Sequence, residues 1–194
     1  MGVLSFLFPG QLPGMPGVLI AATLMFFVGL LDDLYNLSPY LKLFGQILAG
    51  IVAFQLGIQI VALDLPWSKI LLLQALSLPI TLIWLTGMSN ALNFIDGVDG
   101  LAGGVTMISS LTLGVVALTM HEPVSALFAM VLSGATLGFL NFNFYPARIF
   151  MGDSGALFCG FVLANIAVMG VLKTLTMTML LPVVILTVPI LDMT

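Results

Sequence analysis

Asn90, Asn93, Asp96 and Asp99 recur every third residue through the run NALNFIDGVDGLAGG at 90–104, between apolar stretches long enough to cross a bilayer. An ionised carboxylate inside the hydrocarbon costs about 3 kcal/mol on insertion scales, so such a series demands a function. Asp32 and Asp33 form a second polar group, followed after eight residues by Lys42. A third group is the stretch FMGDSG at 150–155, which sets Asp153 between Gly152 and Gly155 just ahead of an apolar run. Glycines there allow close backbone approach, and a helix N-terminus attracts an anionic ligand. Carboxylates are hard oxygen ligands of the kind Mg²⁺ takes, one or two at a time, beside substrate phosphates and water. Lys42 and Arg148 add charges able to hold phosphate. Metal-assisted phosphoryl transfer, where positioning and charge neutralisation dominate catalysis, fits these residue types together.

The elements that must position them are membrane helices. Hydrophobic residues make up 61% of the 194 and charged residues 6%. That excludes a soluble domain, and the long runs rich in Leu, Ala and Met lack the alternation of barrel strands. The fold class is all-α, a polytopic transmembrane helical bundle forming one domain over 1–194. Seven uncharged spans are expected, at 14–31, 43–63, 70–88, 101–120, 123–142, 155–172 and 175–191, each near the ~17–25 residues a crossing needs. Pro79, Pro182 and Pro189 are candidate kinks, and the spacing of Gly100/Gly104 and Gly134/Gly138 suits close helix packing. A net charge of −4 argues against nucleic-acid binding. The single cysteine, Cys159, rules out an internal disulfide. The N-terminal segment has no basic region and does not resemble a cleavable signal peptide.

Crossing parity brings the polar groups together. If the first span ends at Asp32 and Asp33, alternate crossings deliver Asn90 to Asp99, then Arg148 and Asp153, then Asp192 to the same membrane face. Asp64 and Glu122 fall on the other. Lys42 and Arg148 lie with the acids, Lys69 and Lys173 opposite, so the Lys/Arg count does not orient the chain.

LLDDLYNLSPYLKLFGQ at 30–46, NALNFIDGVDGLAGG at 90–104 and RIFMGDSGALFCGF at 148–161 closely resemble three motifs of the polyprenyl-phosphate N-acetylhexosamine-1-phosphate transferases (glycosyltransferase family 4), in that family's order and separation. The resemblance covers nearly all of 20–194. It implies transfer of a sugar 1-phosphate from a UDP-sugar to a polyprenyl phosphate lipid, with release of UMP, at a cytoplasmic-face, Mg²⁺-dependent site of a multi-pass plasma-membrane enzyme. It also admits Mn²⁺ and a homodimer. Asp32 and Asp33 match the aspartate pair of the family, one of which is thought to deprotonate or orient the lipid phosphate; a covalent aspartyl intermediate is the other mechanism proposed. Lys42 matches a phosphate-contacting lysine. Asn93 and Asp96, with Asn90 and Asp99 as neighbours, match residues that position the nucleotide-sugar. Asp153 matches the metal-binding aspartate.

The short Asp33–Lys42 interval, MGDSG and NFIDGVDG favour the N-acetylglucosamine-1-phosphate branch over the phospho-N-acetylmuramoyl-pentapeptide branch. Members of the family extend further at both ends, with a histidine-containing loop after the PILD segment. The only histidine here, His121, falls on the opposite face, so a fragment is expected. An inactive membrane scaffold and an ion-coupled transporter are the readings from other classes. Single residues have plainer roles as well. Asn90 and Asn93 are candidates for glue between helices, and Asp99 for capping the helix near Gly100. Lys42, Lys69 and Lys173 suit snorkelling, and Arg148 an interfacial anchor. His121-Glu122-Pro123 reads as a solvated turn, Trp67 as an aromatic-belt residue, and Asp192 as a cap or the start of a loop.

Overall fold

A computed structural model describes residues 15–60, 62–65, 68–71 and 74–171. Helix α1 runs Met15–Tyr35. It carries Asp32 and Asp33 in its last turns rather than beyond its end, because nothing breaks the helix before Asn36. That residue turns left-handed at φ 49° and donates its N–H to Asp32 O at 2.8 Å, a C-terminal stop that asparagine tolerates. Ser38 and Pro39 then start α2, Pro39–Gln55. The serine accepts from Leu41 N–H, and the proline occupies a first-turn position where no N–H is needed.

Helix α2 ends at Gln55, well short of the expected 63, and Gly57 at φ 98° closes it. The chain continues into an antiparallel ribbon, β1 (Ala62–Leu65) and β2 (Ser68–Leu71), with Asp64 in register opposite Lys69. Buried Ser77 and Thr81 satisfy both backbone groups of Ile60: Ser77 Oγ donates to its carbonyl at 2.7 Å, and Thr81 Oγ1 accepts its N–H at 3.0 Å. Both hydroxyls belong to α3, Gln74–Ile95. This helix extends past the expected 88, so Asn90 and Asn93 are helical, while Asp96 and Asp99 lie in the glycine-broken turn that follows. Helices α4 (Leu101–Thr119) and α5 (Pro123–Asn143) pair with each other, and α6 (Gly152–Ile166) continues into a π-helical turn, Ala167–Val171.

Helix α6 is the centre of the bundle, packed against α1 and α3. Its Leu157, Phe161 and Ile166 are buried with Met25, Leu85 and Leu92. The close approaches are made by glycines other than the expected pairs. Gly29 of α1 faces the backbone of Asp153 and Ser154, and Gly160 of α6 faces the backbone of Met88 and Ser89. Gly104, Gly134 and Gly138 look into open space, because four-residue spacing selects a helix face without saying what that face meets. Large apolar side chains such as Ile83, Ile108 and Val131 are exposed, as a lipid-facing surface requires.

An all-α polytopic membrane bundle is therefore the fold, and the chain is a multi-pass membrane protein. Among the described residues five helices are long and apolar enough to span. Helix α2, with 17 residues, covers only about 26 Å at 1.5 Å per residue. The expected span at 175–191, Pro182, Pro189, Trp67, Lys173 and Asp192 lie outside the described residues. His121, exposed at φ 59°, is in the turn between α4 and α5.

Candidate active site

Four helices meet at Lys42. Its Nζ lies 2.7 Å from Asp32 Oδ2 of α1 and 2.8 Å from Asp153 Oδ2 of α6, and donates to Asn93 Oδ1 of α3 at 3.1 Å. Asn93 Nδ2 in turn donates to Asp153 Oδ1, and Asp32 Oδ1 accepts Leu37 N–H at 2.8 Å. Burial works against the lysine charge, but Asp153 and Asp32 outweigh it and hold the Lys42 pKa above its ordinary value.

Asp33, one position along α1 from Asp32, points elsewhere. Its Oδ1 accepts Asp153 N–H at 2.8 Å and its Oδ2 accepts Ser154 N–H at 3.0 Å. The α6 N-terminus, expected to attract an anionic ligand, already has Asp33 as its anion. Gly152 is required here: its φ is 67°, and a Cβ would sit 3.1 Å from both Asp33 carboxylate oxygens.

Lys42 and Asn93 are supported one helical turn away. Gln46, fully buried, donates to Asn90 Oδ1 at 3.0 Å, and Asn90 Nδ2 donates back to Gln46 Oε1 at 2.6 Å and to Thr86 O at 2.8 Å. Asn90 is therefore spent on joining α2 to α3. The sequence reading passed over Gln46; its four-residue offset from Lys42 was the available signal.

Residues 15–171 match the sequence profile of Glycosyl transferase family 4. The chain belongs to that family. It is 36% identical, over 93% of its own length and 51% of the relative, to a probable undecaprenyl-phosphate N-acetylglucosaminyl 1-phosphate transferase of Bacillus subtilis. It is 39% identical to a decaprenyl-phosphate N-acetylglucosaminephosphotransferase of Mycobacterium tuberculosis, over 78% of this chain and 40% of that one. A phospho-N-acetylmuramoyl-pentapeptide-transferase of Moorella thermoacetica is also 39% identical, over 73% of this chain and 49% of the relative. The chain spans about half the length of the curated relatives it matches.

Within this family member, the motif residues Asp32, Asp33, Lys42, Asn93, Asp96 and Asp153 come together as parity required. Asp99 and Arg148 form an adjoining loop cluster. Asp99 Oδ2 accepts Ala147 N–H at 3.0 Å and the α4 N-cap, Gly100, provides no side-chain cap, so Asp99 braces a loop rather than capping the helix. Asn143, also passed over in the sequence, accepts Gly100 N–H at 3.1 Å and donates to Ile149 O at 2.9 Å, tying the same two loops. Arg148 is exposed, and its guanidinium has no ion pair among the described residues.

The donors around Lys42 are hard oxygens of the kind Mg²⁺ takes. Among the described residues no three acids, histidines or cysteines form a ready cage. Mg²⁺ does not need one, since it commonly takes one or two carboxylates and completes its shell with substrate phosphate and water. The donor set fits the ion.

Asp96 carries a titration signature. Burial, then the nearby Asp153, push its pKa up to about 6; the Gly152 N–H opposes this, and Asp33 adds to it. Between its ordinary value of 3.8 and about 6, the folded chain holds a proton that the unfolded chain has released. Stability therefore falls as pH rises through that window. Asp96 is only half-buried, so solvent screening reduces the effect to about 1 kcal/mol. Asp96→Asn is expected to remove that part of the slope, read as the difference between wild-type and variant unfolding in detergent at pH 4.5 and 7.

Proposed function

We propose that the complete protein transfers N-acetylglucosamine 1-phosphate from its UDP-sugar to a polyprenyl phosphate, releasing UMP, at the cytoplasmic face of the plasma membrane, with Mg²⁺. The observation that carries this reading is the convergence of Asp32, Asn93 and Asp153 on the Lys42 ammonium. That arrangement joins one cation to oxygen ligands at the interfacial end of a bundle, where a lipid phosphate and a soluble nucleotide can meet.

In this mechanism a lipid-phosphate oxygen attacks the sugar-bearing phosphorus in line. The new P–O bond forms as the bond to the uridine-bearing phosphate breaks, and UMP departs with the electron pair. Lys42 binds phosphate oxygens and offsets their charge. Asp32, held by Lys42 and by Leu37 N–H, orients the lipid phosphate and takes its proton if it arrives protonated. Asn93 and Asp96 lie on the nucleotide-sugar side. Asp153 would hold Mg²⁺ together with substrate oxygens, and the ion when bound supplies neutralisation of the diphosphate charge. Arg148, on the adjacent loop, is free to meet a phosphate.

Both kinds of sugar occur among the matched relatives. The short interval from Asp33 to Lys42 supports N-acetylglucosamine. The test is exchange of radiolabelled UMP into UDP-N-acetylglucosamine, in membranes carrying the complete protein and supplied with undecaprenyl phosphate. Exchange that needs Mg²⁺ and stops with chelator is expected. Inactivity across several UDP-sugars would overturn the enzyme reading, and exchange confined to UDP-N-acetylmuramoyl-pentapeptide would move the protein to the other branch.

A further inference from the structure

Neighbouring residues on a helix point about 100° apart, so an aspartate pair at the end of α1 cannot place both carboxylates in one site. Asp32 turns toward α2 and meets Lys42. Asp33 turns toward α6, on the same face as Gly29 one turn earlier. Those two residues form a seat for the start of α6. At Gly29 a Cβ would lie 2.5 Å from Ser154 Cα and 2.6 Å from Asp153 O, so only glycine lets the backbones touch there. At the next turn the Asp33 carboxylate takes two free N–H groups in the first turn of α6, those of Asp153 and Ser154. Met151, the residue at the helix's own N-cap position, makes no side-chain cap bond. The left-handed Gly152 leaves room for the carboxylate to approach.

We infer that Asp33 is a positioning residue that caps α6 from the neighbouring helix and so fixes Asp153, and that it is not the proton acceptor for the lipid phosphate. With both carboxylate oxygens engaged by backbone donors, Asp33 sets the backbone from which the Asp153 side chain reaches Lys42 and Asn93. The cap stands on geometry alone; the exclusion of Asp33 as proton acceptor rests on the transferase reading.

Hydrogen exchange and kinetics on the complete protein in detergent test the two parts separately. Asp33→Asn is expected to speed exchange of the Asp153 and Ser154 amides roughly 10-fold, while Asp32→Asn leaves them protected. In UMP exchange, Asp33→Asn is expected to lower kcat about 10-fold and raise the Mg²⁺ concentration for half-activation, because Asp153 has moved. The acidic limb of the pH–rate profile should remain. Asp33→Ser, too short to reach α6, carries the same expectations if the asparagine variant does not fold. Unchanged exchange at 153 and 154 would overturn the cap even if the protein proved to have no transferase activity. Disappearance of the acidic limb in an Asp33 variant would overturn the positioning role whatever the amides did.

Discussion

Lys42→Ala is expected to lower transfer about 1,000-fold and to destabilise the bundle by about 3 kcal/mol, the scale seen when one partner of a largely buried ion pair is removed. The ammonium is within 2.8 Å of two carboxylates from different helices, and its side chain and that of Asp32 are 16% and 9% exposed. Without it, the nearly buried Asp32 carboxylate faces that of Asp153, whose side chain is 34% exposed, with no cation between them, and Asn93 Oδ1 loses its donor. Lys42→Arg is not a conservative rescue, because a planar fork cannot replace a point charge shared by three oxygens. Adding Asp153→Asn to Lys42→Ala removes one of the unpaired charges. The double variant should therefore regain about half of the lost stability and none of the activity. Detergent unfolding and UMP exchange on the same preparations measure both effects. A Lys42→Ala protein as stable as wild type would mean that the two carboxylates do not depend on the lysine.

Much of this site was legible because membrane crossings convert sequence position into face. Parity alone grouped Asp32, Lys42, Asn93, Asp96 and Asp153, and the contacts between α1, α2, α3 and α6 bear that out. Parity cannot say which way a side chain points around its helix. Asp32 and Asp33 share a face of the membrane but divide between Lys42 and the α6 N-terminus. The Gln46–Asn90 amide pair was hidden for the same reason, since it depends on the register of α2 against α3. Helix ends were misjudged where hydropathy was used in place of backbone chemistry. Asp32 and Asp33 read as a terminus by charge, yet the helix stops only when Asn36 adopts a left-handed conformation. The outer halves of the β1–β2 ribbon, 62–63 and 70–71, were absorbed into two spans because a short apolar run has no period that separates strand from helix.

Gly160→Leu tests how far the site depends on the bundle beneath it. A Cβ at Gly160 would lie 2.7 Å from Met88 O, 2.8 Å from Ser89 Cα and 3.2 Å from Leu92 Cβ. The two nearest atoms are helical backbone and cannot swing aside, so α6 must move away from α3. Overpacking of this kind costs about 3 kcal/mol at the upper end of its usual range. The movement also has a direction. Asp153 rides on α6 and Asn93 on α3, so widening this seam lengthens the Asn93–Asp153 contact that links them. Transfer should fall about 100-fold even in molecules that remain folded, since a shift near 1 Å is enough to spoil alignment at that scale. Gly138→Leu is the matching control. A Cβ at Gly138 meets no other atom within 4 Å, and a leucine on a lipid-facing surface replaces one apolar surface with another. It should leave unfolding within about 0.5 kcal/mol of wild type and activity unchanged. Leucine is a better helix former than glycine, so equal losses in the two variants could not come from helix propensity and would show that the α3–α6 seam has no special role.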